Sequence, residues 1–207
     1  MIDLEHLQLE GTPYCGGTAD IMKFFDQILR PLVYELLKVA GMPEQILDTY
    51  RRFQEGLKVH NSLAGSISHA YVRPCSIPQG CPLSMMIVAI MMRPWLCMIK
   101  GMGLQPKVLA DDVLILSQGK NMLGKLARGI NATHGYLQAM GAKVAPTESF
   151  NFASLATARQ WLDKTWWHAI NSTIPVLKDF RYLGTHLNTS GSRRAATLDL
   201  RFSKANG

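Results

Sequence analysis

The chain has 207 residues, 47% of them hydrophobic and 18% charged, and this composition excludes an intrinsically disordered protein. Its net charge of +7 is uneven, because residues 119–207 carry twelve Lys and Arg against four Asp and Glu, whereas residues 1–118 carry ten against eleven. A basic half of this kind suits a polyanionic partner such as nucleic acid, and a solvated basic surface explains it equally well.

Three further features of the sequence argue against a membrane span, a secreted protein and a zinc site built on cysteine. The longest apolar run, Met85 to Met92, is far shorter than the roughly 20 residues of a membrane span, so we expect no membrane contact. The acidic start MIDLEHLQLE lacks the apolar core of a signal peptide, which favours an intracellular protein. The four cysteines form no CxxC pair, which argues against a zinc site built on sulfur.

Apolar residues recur at helical spacing in four segments, and each segment predicts a helix. The first begins at Pro31, which suits the first turn of a helix, and Gly41 marks its end. The third contains Pro94, which is expected to kink or end it. The four ranges are 31–40, 44–57, 83–100 and 121–140, and a short turn from Gly41 to Pro43 joins the first two. The apolar residues expected to pack in the first helix are Leu32, Leu36, Val39 and Ala40. Those of the second helix are Ile46, Tyr50, Phe53 and Leu57, and those of the fourth are Leu126, Ile130, Leu137 and Met140.

Strand patterns lie among these helices. β-branched and aliphatic residues flank an Asp-Asp pair between Lys107 and Ser117, which predicts a tight hairpin. Shorter runs at 143–144 and 180–187 predict further strands. Because the strands show no regular βαβ alternation, the sequence favours the α+β class, with an antiparallel sheet packed on helices.

Two adjacent carboxylates, Asp111 and Asp112, stand inside the apolar hairpin pattern, where burial without compensation would be costly. At a hairpin tip both can point to one divalent cation, and hard oxygen ligands suit Mg²⁺. For the dipeptide alone, an ordinary turn remains the alternative, because Asp is common in turns.

Two other segments carry candidate site residues. Asp20 and Phe25 lie in TADIMKFFDQI. If Asp20 has no functional role, it is a helix cap or lies in a surface turn. If Phe25 has none, it is a core residue. The segment CSIPQGCPLS contains Gln79 and Gly80 and opens directly into the third predicted helix. A loop stiffened by prolines before a helix N-terminus suits a nucleotide or phosphate.

These segments, in this order, resemble the polymerase motifs of reverse transcriptases: Asp-x4-Phe-Asp from Asp20, PQGxPLS, and the Ala-Asp-Asp triplet at 110–112. The closest likeness is to enzymes of non-LTR (LINE-type) retrotransposons, because Tyr182, Leu183 and Gly184 match their primer grip. A group II intron maturase is an alternative, although maturases usually have Tyr before the triplet.

The resemblance covers residues 19–187 and implies the palm of a polymerase, an antiparallel sheet packed on helices within a partial right-hand fold. Residues 1–18 would then be a remnant of the fingers side, and residues 188–207 a C-terminal tail or the start of a truncated thumb. Because so little chain precedes Asp20, we expect a fragment or a decayed copy of an element.

The resemblance also implies roles. Asp20, Asp111 and Asp112 would be catalytic and, with the carbonyl of Ile21, would bind two Mg²⁺ ions, for which Mn²⁺ can substitute. Phe25 would exclude the 2′-hydroxyl of ribonucleotides. Gln79 and Gly80 would contact the incoming nucleotide and the template. The primer grip, formed by Tyr182, Leu183 and Gly184, would contact the primer. The implied partners are an RNA template, a DNA primer and deoxynucleoside triphosphates, with the nucleus as the implied compartment.

One departure from the family pattern affects catalysis. Glu148 stands in GAKVAPTESF where a lysine is usual, and that lysine is a candidate for protonating the leaving pyrophosphate. A carboxylate does this poorly, so a catalytically inactive nucleic-acid-binding relic is the alternative function. Trp161, Trp166 and Trp167 are expected to pack inside the domain rather than stack on bases, because they lie at helical spacing with Leu162.

Overall fold

The computed structural model describes residues 2–78, 80–182 and 185–189. The helices are α1 (Ile2–Leu9), α2 (Phe24–Gln27), α3 (Arg30–Val39), α4 (Glu44–Gly56), α5 (Ser84–Gly101), α6 (Met122–Ala139) and α7 (Ala156–Lys164). The strands are β1 (Tyr14–Ala19), β2 (Lys58–Val59), β3 (Ser62–Leu63), β4 (Ser66–Ile67), β5 (Tyr71–Val72), β6 (Gln105–Leu109), β7 (Asp112–Gln118), β8 (Asn151–Ala153), β9 (Trp166–Trp167), β10 (Ser172–Thr173), β11 (Asp179–Tyr182) and β12 (Thr185–Asn188).

The chain forms two compact units, and neither is continuous in sequence. Of the described residues, those within 2–20, 96–135 and 144–189 belong to the first unit, and those within 21–95 and 136–143 belong to the second. Helix α5 and helix α6 therefore each contribute residues to both units.

The first unit is built on a four-stranded sheet in the order β6-β7-β1-β8, in which every neighbouring pair is antiparallel. This confirms the α+β class with an antiparallel sheet. Strand β1 lies near the centre, and Gly16 within it is required, because a Cβ there would lie 2.7 Å from the carbonyl oxygen of Ile115 and would clash with the ring of Phe152. The neighbouring strand and the Phe152 ring thus approach the β1 backbone closely.

Alternation along β7 divides its side chains between two faces of the sheet. Leu114 and Leu116 belong to a buried cluster that α1, β8 and the β11–β12 hairpin complete. Val113 and Ile115 instead lie on the side of α6, where they and Ile130 line a small cavity. The full cluster on the first face is Leu4, Leu7, Tyr14, Leu114, Leu116, Phe152, Phe180, Tyr182 and Leu187.

In the second unit, α3 and α4 pack through an edge-to-face contact between Tyr34 and Tyr50, whose ring centroids are 6.5 Å apart. Both predicted helices are confirmed, but their predicted apolar faces are partly wrong. Val39 is 83% exposed, and Ile46 and Phe53 are each 52% exposed. The buried residues are Arg30, Val33, Tyr34 and Leu37 in α3, and Leu47, Tyr50 and Gln54 in α4.

The remaining sequence predictions have mixed outcomes. The hairpin between 107 and 117 and the helix at 121–140 are confirmed, and Leu126, Ile130, Leu137 and Met140 are all buried. Residues 143–144 do not form a strand, because only Val144 makes an isolated bridge. In the run at 180–187, residues 180–182 lie in β11 and residues 185–187 lie in β12, and these two strands pair antiparallel.

Helix α5 continues through Pro94 to Gly101, so the predicted helix at 83–100 is confirmed, and of the two effects expected of Pro94 an end of the helix is ruled out. Its length and composition would allow it to cross a membrane, a property that core helices of other proteins share. Its buried residues recur at helical spacing, as expected of a helix with one packed face. They are Ile87, Val88, Met91, Met92, Trp95 and Ile99.

Two more segments differ from the sequence predictions. Trp167 is buried as expected, but Trp161 is 42% exposed and Trp166 is 50% exposed. Between α4 and α5, residues 58–72 form an exposed hairpin arm, in which β2 pairs with β5 and β3 with β4. The sequence pattern does not predict this arm, because its strands are only two residues long.

Candidate active site

The hairpin between β6 and β7 carries the Asp-Asp pair at its tip, as predicted. Leu109 pairs with Asp112, so Ala110 and Asp111 are the two turn residues. Ala110 has a φ of 55°, a left-handed conformation that is uncommon for a residue with a side chain and tightens the turn. Asp111 therefore lies in the turn itself, and Asp112 begins β7.

Asp20 is brought to the same end of the sheet by the register of β1. Ala19, the last residue of β1, pairs with Val113, which directly follows Asp112. The backbone of Asp20 is fixed on both sides, since its N–H donates to Ser149 Oγ at 3.0 Å and its carbonyl accepts from the Ala145 N–H at 2.9 Å. These bonds use main-chain groups of Asp20 and do not involve its carboxylate.

The carboxylates affect one another electrostatically. Burial raises the pKa of Asp20 to about 6, and a hydrogen bond with Glu148 and repulsion from Glu148, Asp111 and Asp112 add to the effect. Burial, and then the charge of Asp111, also raise the pKa of Asp112. The structure thus brings the three predicted aspartates together although about ninety residues separate Asp20 from the others.

Tyr182, a predicted primer-grip residue, lies in the same unit at the end of β11. Its side chain is 7% exposed, and its hydroxyl has no hydrogen-bond partner among the described residues. Burial and the nearby charge of Asp112 raise the pKa of Tyr182 to about 12, so the hydroxyl stays neutral and can donate. Leu183 and Gly184 lie outside the described residues.

The donor chemistry of this site fits a hard divalent cation. Asp20, Asp111 and Asp112 offer only carboxylate oxygens, and the neutral hydroxyl of Tyr182 beside Asp112 can donate to a ligand or its water shell. Within the described part of the chain, however, no group of three or more His, Cys, Asp or Glu side chains is arranged to hold a metal ion. The residues fit the ion by chemistry, and their side chains would have to move together to enclose it.

The other predicted site residues belong to the second unit. Phe25 is half-buried, with its ring edge-to-face to Phe24 at 5.8 Å, and its carbonyl accepts from the Ile77 N–H at 3.0 Å. This bond ties Phe25 to the segment that leads to Gly80, which has a φ of 85° that favours glycine. Ile21 is buried, and Gln79 lies outside the described residues.

Arg30 is a residue of this unit that the sequence does not reveal. It is 2% exposed, and its guanidinium donates to the carbonyl oxygens of Ser76 and Gln54, each at 2.9 Å. Because Ser76 lies in the segment that carries the predicted nucleotide loop, Arg30 anchors that segment to the helices. A charged residue at the start of an amphipathic helix is ordinarily exposed, so no sequence signal identifies it.

The sequence and the fold both have counterparts among known proteins. Residues 2–187 match the family described as reverse transcriptase (RNA-dependent DNA polymerase), whereas comparison with curated proteins gives no match. One similar solved structure is apo telomerase from Candida tropicalis truncated from the C-terminal domain, with a TM-score of 0.61 and 13% identity over 91% of this chain and 37% of that chain. Another is telomerase from Candida tropicalis in complex with the TWJ fragment of telomeric RNA, with a TM-score of 0.61 and 11% identity over 94% of this chain and 33% of that chain.

The telomerase structures and the family match differ in how much of each chain they cover. The chain spans about a third of the length of the two telomerase chains, and at this identity the likeness concerns the fold. The family match, in contrast, extends from α1 to β12 and includes every predicted site residue. The chain belongs to the reverse transcriptase (RNA-dependent DNA polymerase) family.

Proposed function

We propose that the chain is the palm of an RNA-directed DNA polymerase, which extends a DNA primer on an RNA template with deoxynucleoside triphosphates. The observation that carries the proposal is the proximity of Asp20 to Asp111 and Asp112 at one end of the sheet, in a chain of this family. Three carboxylates at the tip of a hairpin and the end of its neighbouring strand supply the oxygen ligands that divalent cations such as Mg²⁺ take.

Each aspartate has a role in the proposed reaction. Asp20 and Asp111 would hold two Mg²⁺ or Mn²⁺ ions, with Asp112 beside them and the carbonyl of Ile21 as a further ligand. When bound, such ions activate the primer 3′-hydroxyl and neutralise charge on the leaving pyrophosphate. The backbone bonds of Asp20 to Ala145 and Ser149 would keep its carboxylate in place during this step.

The remaining predicted residues would select and position the substrates. Phe25 would contact the sugar of the incoming nucleotide and exclude a 2′-hydroxyl, and Gln79 and Gly80 would contact nucleotide and template. Tyr182, with its neighbours at 183–184, would hold the primer end. The basic residues after position 118 would contribute phosphate contacts that do not depend on base sequence.

We further propose that the enzyme is of the non-LTR (LINE-type) retrotransposon kind and acts in the nucleus, with residues 19–187 as the palm. Tyr182 to Gly184 support this subtype, because they match the primer grip of those enzymes. A second candidate function is a catalytically inactive nucleic-acid-binding relic. Glu148 favours it, because a carboxylate replaces the usual lysine.

Primer extension on an RNA–DNA duplex, with the chain in excess over the primer, distinguishes the two functions. The polymerase predicts slow nucleotide addition that requires Mg²⁺ or Mn²⁺ and is lost in Asp111→Asn, while duplex binding measured beside it is retained and falls with added salt. Salt-sensitive binding without any extension would assign the relic. Absence of duplex binding at low salt would overturn both.

A further inference from the structure

Trp161 and Trp166 lie on the surface of the first unit, in α7 and in β9. The buried side chains of α7 are Ala158 and Leu162, so Trp161 lies outside the packed face of the helix. Alternation along β9 buries Trp167 and leaves Trp166 on the opposite, exposed side of the strand. Packing of the core therefore does not explain why tryptophan occupies the two exposed positions.

A fixed turn joins the two elements that carry these rings. Thr165 is the single residue between α7 and β9, and its hydroxyl donates to the carbonyl oxygen of Trp161 at 2.7 Å. The N–H of Thr165 donates to the carbonyl oxygen of Leu162 at 3.2 Å, and Trp166 pairs with Thr173 of β10. Five residues of chain span at most about 18 Å, so one elongated ligand can contact both rings.

Basic residues accompany the exposed tryptophans. Lys164 is exposed and follows Trp161 by three positions, so their side chains are neighbours on the helix surface. On the adjoining side of α7, Arg159 and Lys178 line a cleft together with Asp163. From α7 to β11 the chain carries four Lys and Arg against two Asp. This surface therefore combines aromatic rings with positive charge.

Such a combination is typical of surfaces that bind single-stranded nucleic acid. Bases stack on aromatic side chains whatever their sequence, because every base has a π-face, while Lys and Arg contact the phosphates. A second protein is the competing occupant, but the centres of protein interfaces are depleted in lysine, and Lys164 adjoins Trp161 here. Membership of a polymerase family independently favours nucleic acid.

We propose that Trp161 and Trp166 form a stacking platform for unpaired bases of single-stranded nucleic acid, with Lys164 contacting its phosphates. The inference rests on the proposed function, because it takes nucleic acid as the partner of the chain. The platform would hold an unpaired stretch of the template or primer. Its strands lead through residues 174–178 directly into β11, which ends at the predicted primer-grip residue Tyr182.

Quenching of the tryptophan fluorescence of the full 207-residue chain by an oligothymidylate tests the proposal without reference to activity. Stacked bases quench exposed indoles, whereas Trp95 and Trp167 are buried and should keep their emission. We expect Trp161→Leu and Trp166→Leu each to weaken oligothymidylate binding about tenfold, and the double variant to lose most of the quenching. Trp161→Phe keeps an aromatic ring and should bind better than Trp161→Leu, which general loss of apolar surface does not predict. Urea unfolding checks that the variants are folded.

The salt dependence of oligothymidylate binding tests the role of Lys164. Lys164→Gln should reduce the slope of log affinity against log salt concentration by about one, as expected when one phosphate contact is lost. The matched control is Lys38→Gln, which removes an exposed lysine from α3 in the second unit and should leave the slope unchanged. Equal slopes in the two variants would contradict the phosphate contact.

Three outcomes separate this inference from the proposed function. If the leucine variants bind oligothymidylate as the wild type does, while the wild type binds RNA–DNA duplex and extends a primer, the platform is wrong and the proposed function stands. If the wild type binds neither the single strand nor the duplex at low salt, the proposed function is wrong as well. If sedimentation shows a wild-type dimer that the leucine variants do not form, with unchanged oligothymidylate binding, the tryptophans are an interface between copies and the inference is overturned.

Discussion

Replacing His134 with leucine should make the stability of the protein less sensitive to acid. His134 lies on α6, is 1% exposed, and has no hydrogen-bond partner for either ring nitrogen among the described residues. With Gly17, Thr18 and Ile130 it lines a cavity of about 10 Å³. Burial lowers the pKa of His134 to about 4, because the charged imidazolium would be removed from water without a partner.

The magnitude follows from the difference between the folded and unfolded pKa values. The unfolded chain binds a proton at His134 below about pH 6.5, whereas the folded chain does not until about pH 4, so unfolding takes up a proton between these values. The contribution of neutral His134 to stability is therefore complete above pH 6.5 and is lost as the pH falls. The loss is about 2 kcal/mol at about pH 5 and about 3 kcal/mol near pH 4.

Urea unfolding at about pH 7.5 and about pH 5 measures this loss. The wild type should lose about 2 kcal/mol more than His134→Leu between the two conditions, since leucine does not titrate. His69→Gln, which changes an exposed histidine, should behave as the wild type does. If the wild type and His134→Leu lose the same unfolding free energy between the two pH values, His134 does not titrate as a buried, unpaired imidazole, and the reasoning is refuted.

Three other substitutions test the packing and the proposed site. Gly16→Ala should lower the free energy of unfolding, measured by urea denaturation, by about 1–3 kcal/mol, because its Cβ would collide with the neighbouring strand. The control Gly135→Ala should not lower it, because there is open space around Gly135. Arg30→Met should cost about 2–4 kcal/mol in the same assay by leaving two carbonyl oxygens unpaired, and exposed Arg52→Met should cost little. If the proposed function holds, Phe25→Val should increase ribonucleotide relative to deoxynucleotide incorporation in primer extension, and unchanged selectivity would leave Phe25 a packing residue.

Side-chain periodicity predicts those elements whose packed faces are visible in the sequence. Helix α6 is of this kind, since its predicted apolar residues are buried. Strand β1 is not, because Gly16 and Gly17 have no side chains and hide the alternation of a strand. The same glycines allow close approach, as a Cβ on Gly17 would lie 2.5 Å from Asn151 Oδ1. The absence of side chains at Gly16 and Gly17 thus allows β1 to pack closely inside the sheet and also removes the sequence pattern that would predict a strand there.

The faces of α3 show a second limit of periodicity. Leu32 and Leu36 form one apolar stripe, and Val33 and Leu37 form another that is offset by a single residue. The structure buries the second stripe together with Arg30. Tertiary contacts of the buried face distinguish the stripes: Arg30 bonds to two carbonyl groups 24 and 46 positions away, and Tyr34 packs against Tyr50 of α4.

The candidate site was only partly predictable. Spacing within the sequence predicts the hairpin that presents Asp111 and Asp112, but the position of Asp20 beside them was expected only from the family resemblance. The contact of Asp20 with Glu148 was not expected at all. It depends on the register of β8 beside β1 and on the turn before β8, and neither has a local sequence signal.

Main-chain geometry sets the backbone positions of Asp20 and Asp111. Asp20 is bound through its own N–H and carbonyl, and Asp111 is placed by the left-handed turn at Ala110. A carboxylate satisfied by neutral donors would have a lowered pKa, whereas the pKa of Asp20 is raised. In the proposed function, divalent cations would relieve the repulsion among these carboxylates. An isosteric change such as Asp111→Asn therefore removes charge while keeping the contacts that hold the hairpin, so loss of ion binding or of extension in that variant can be attributed to the carboxylate.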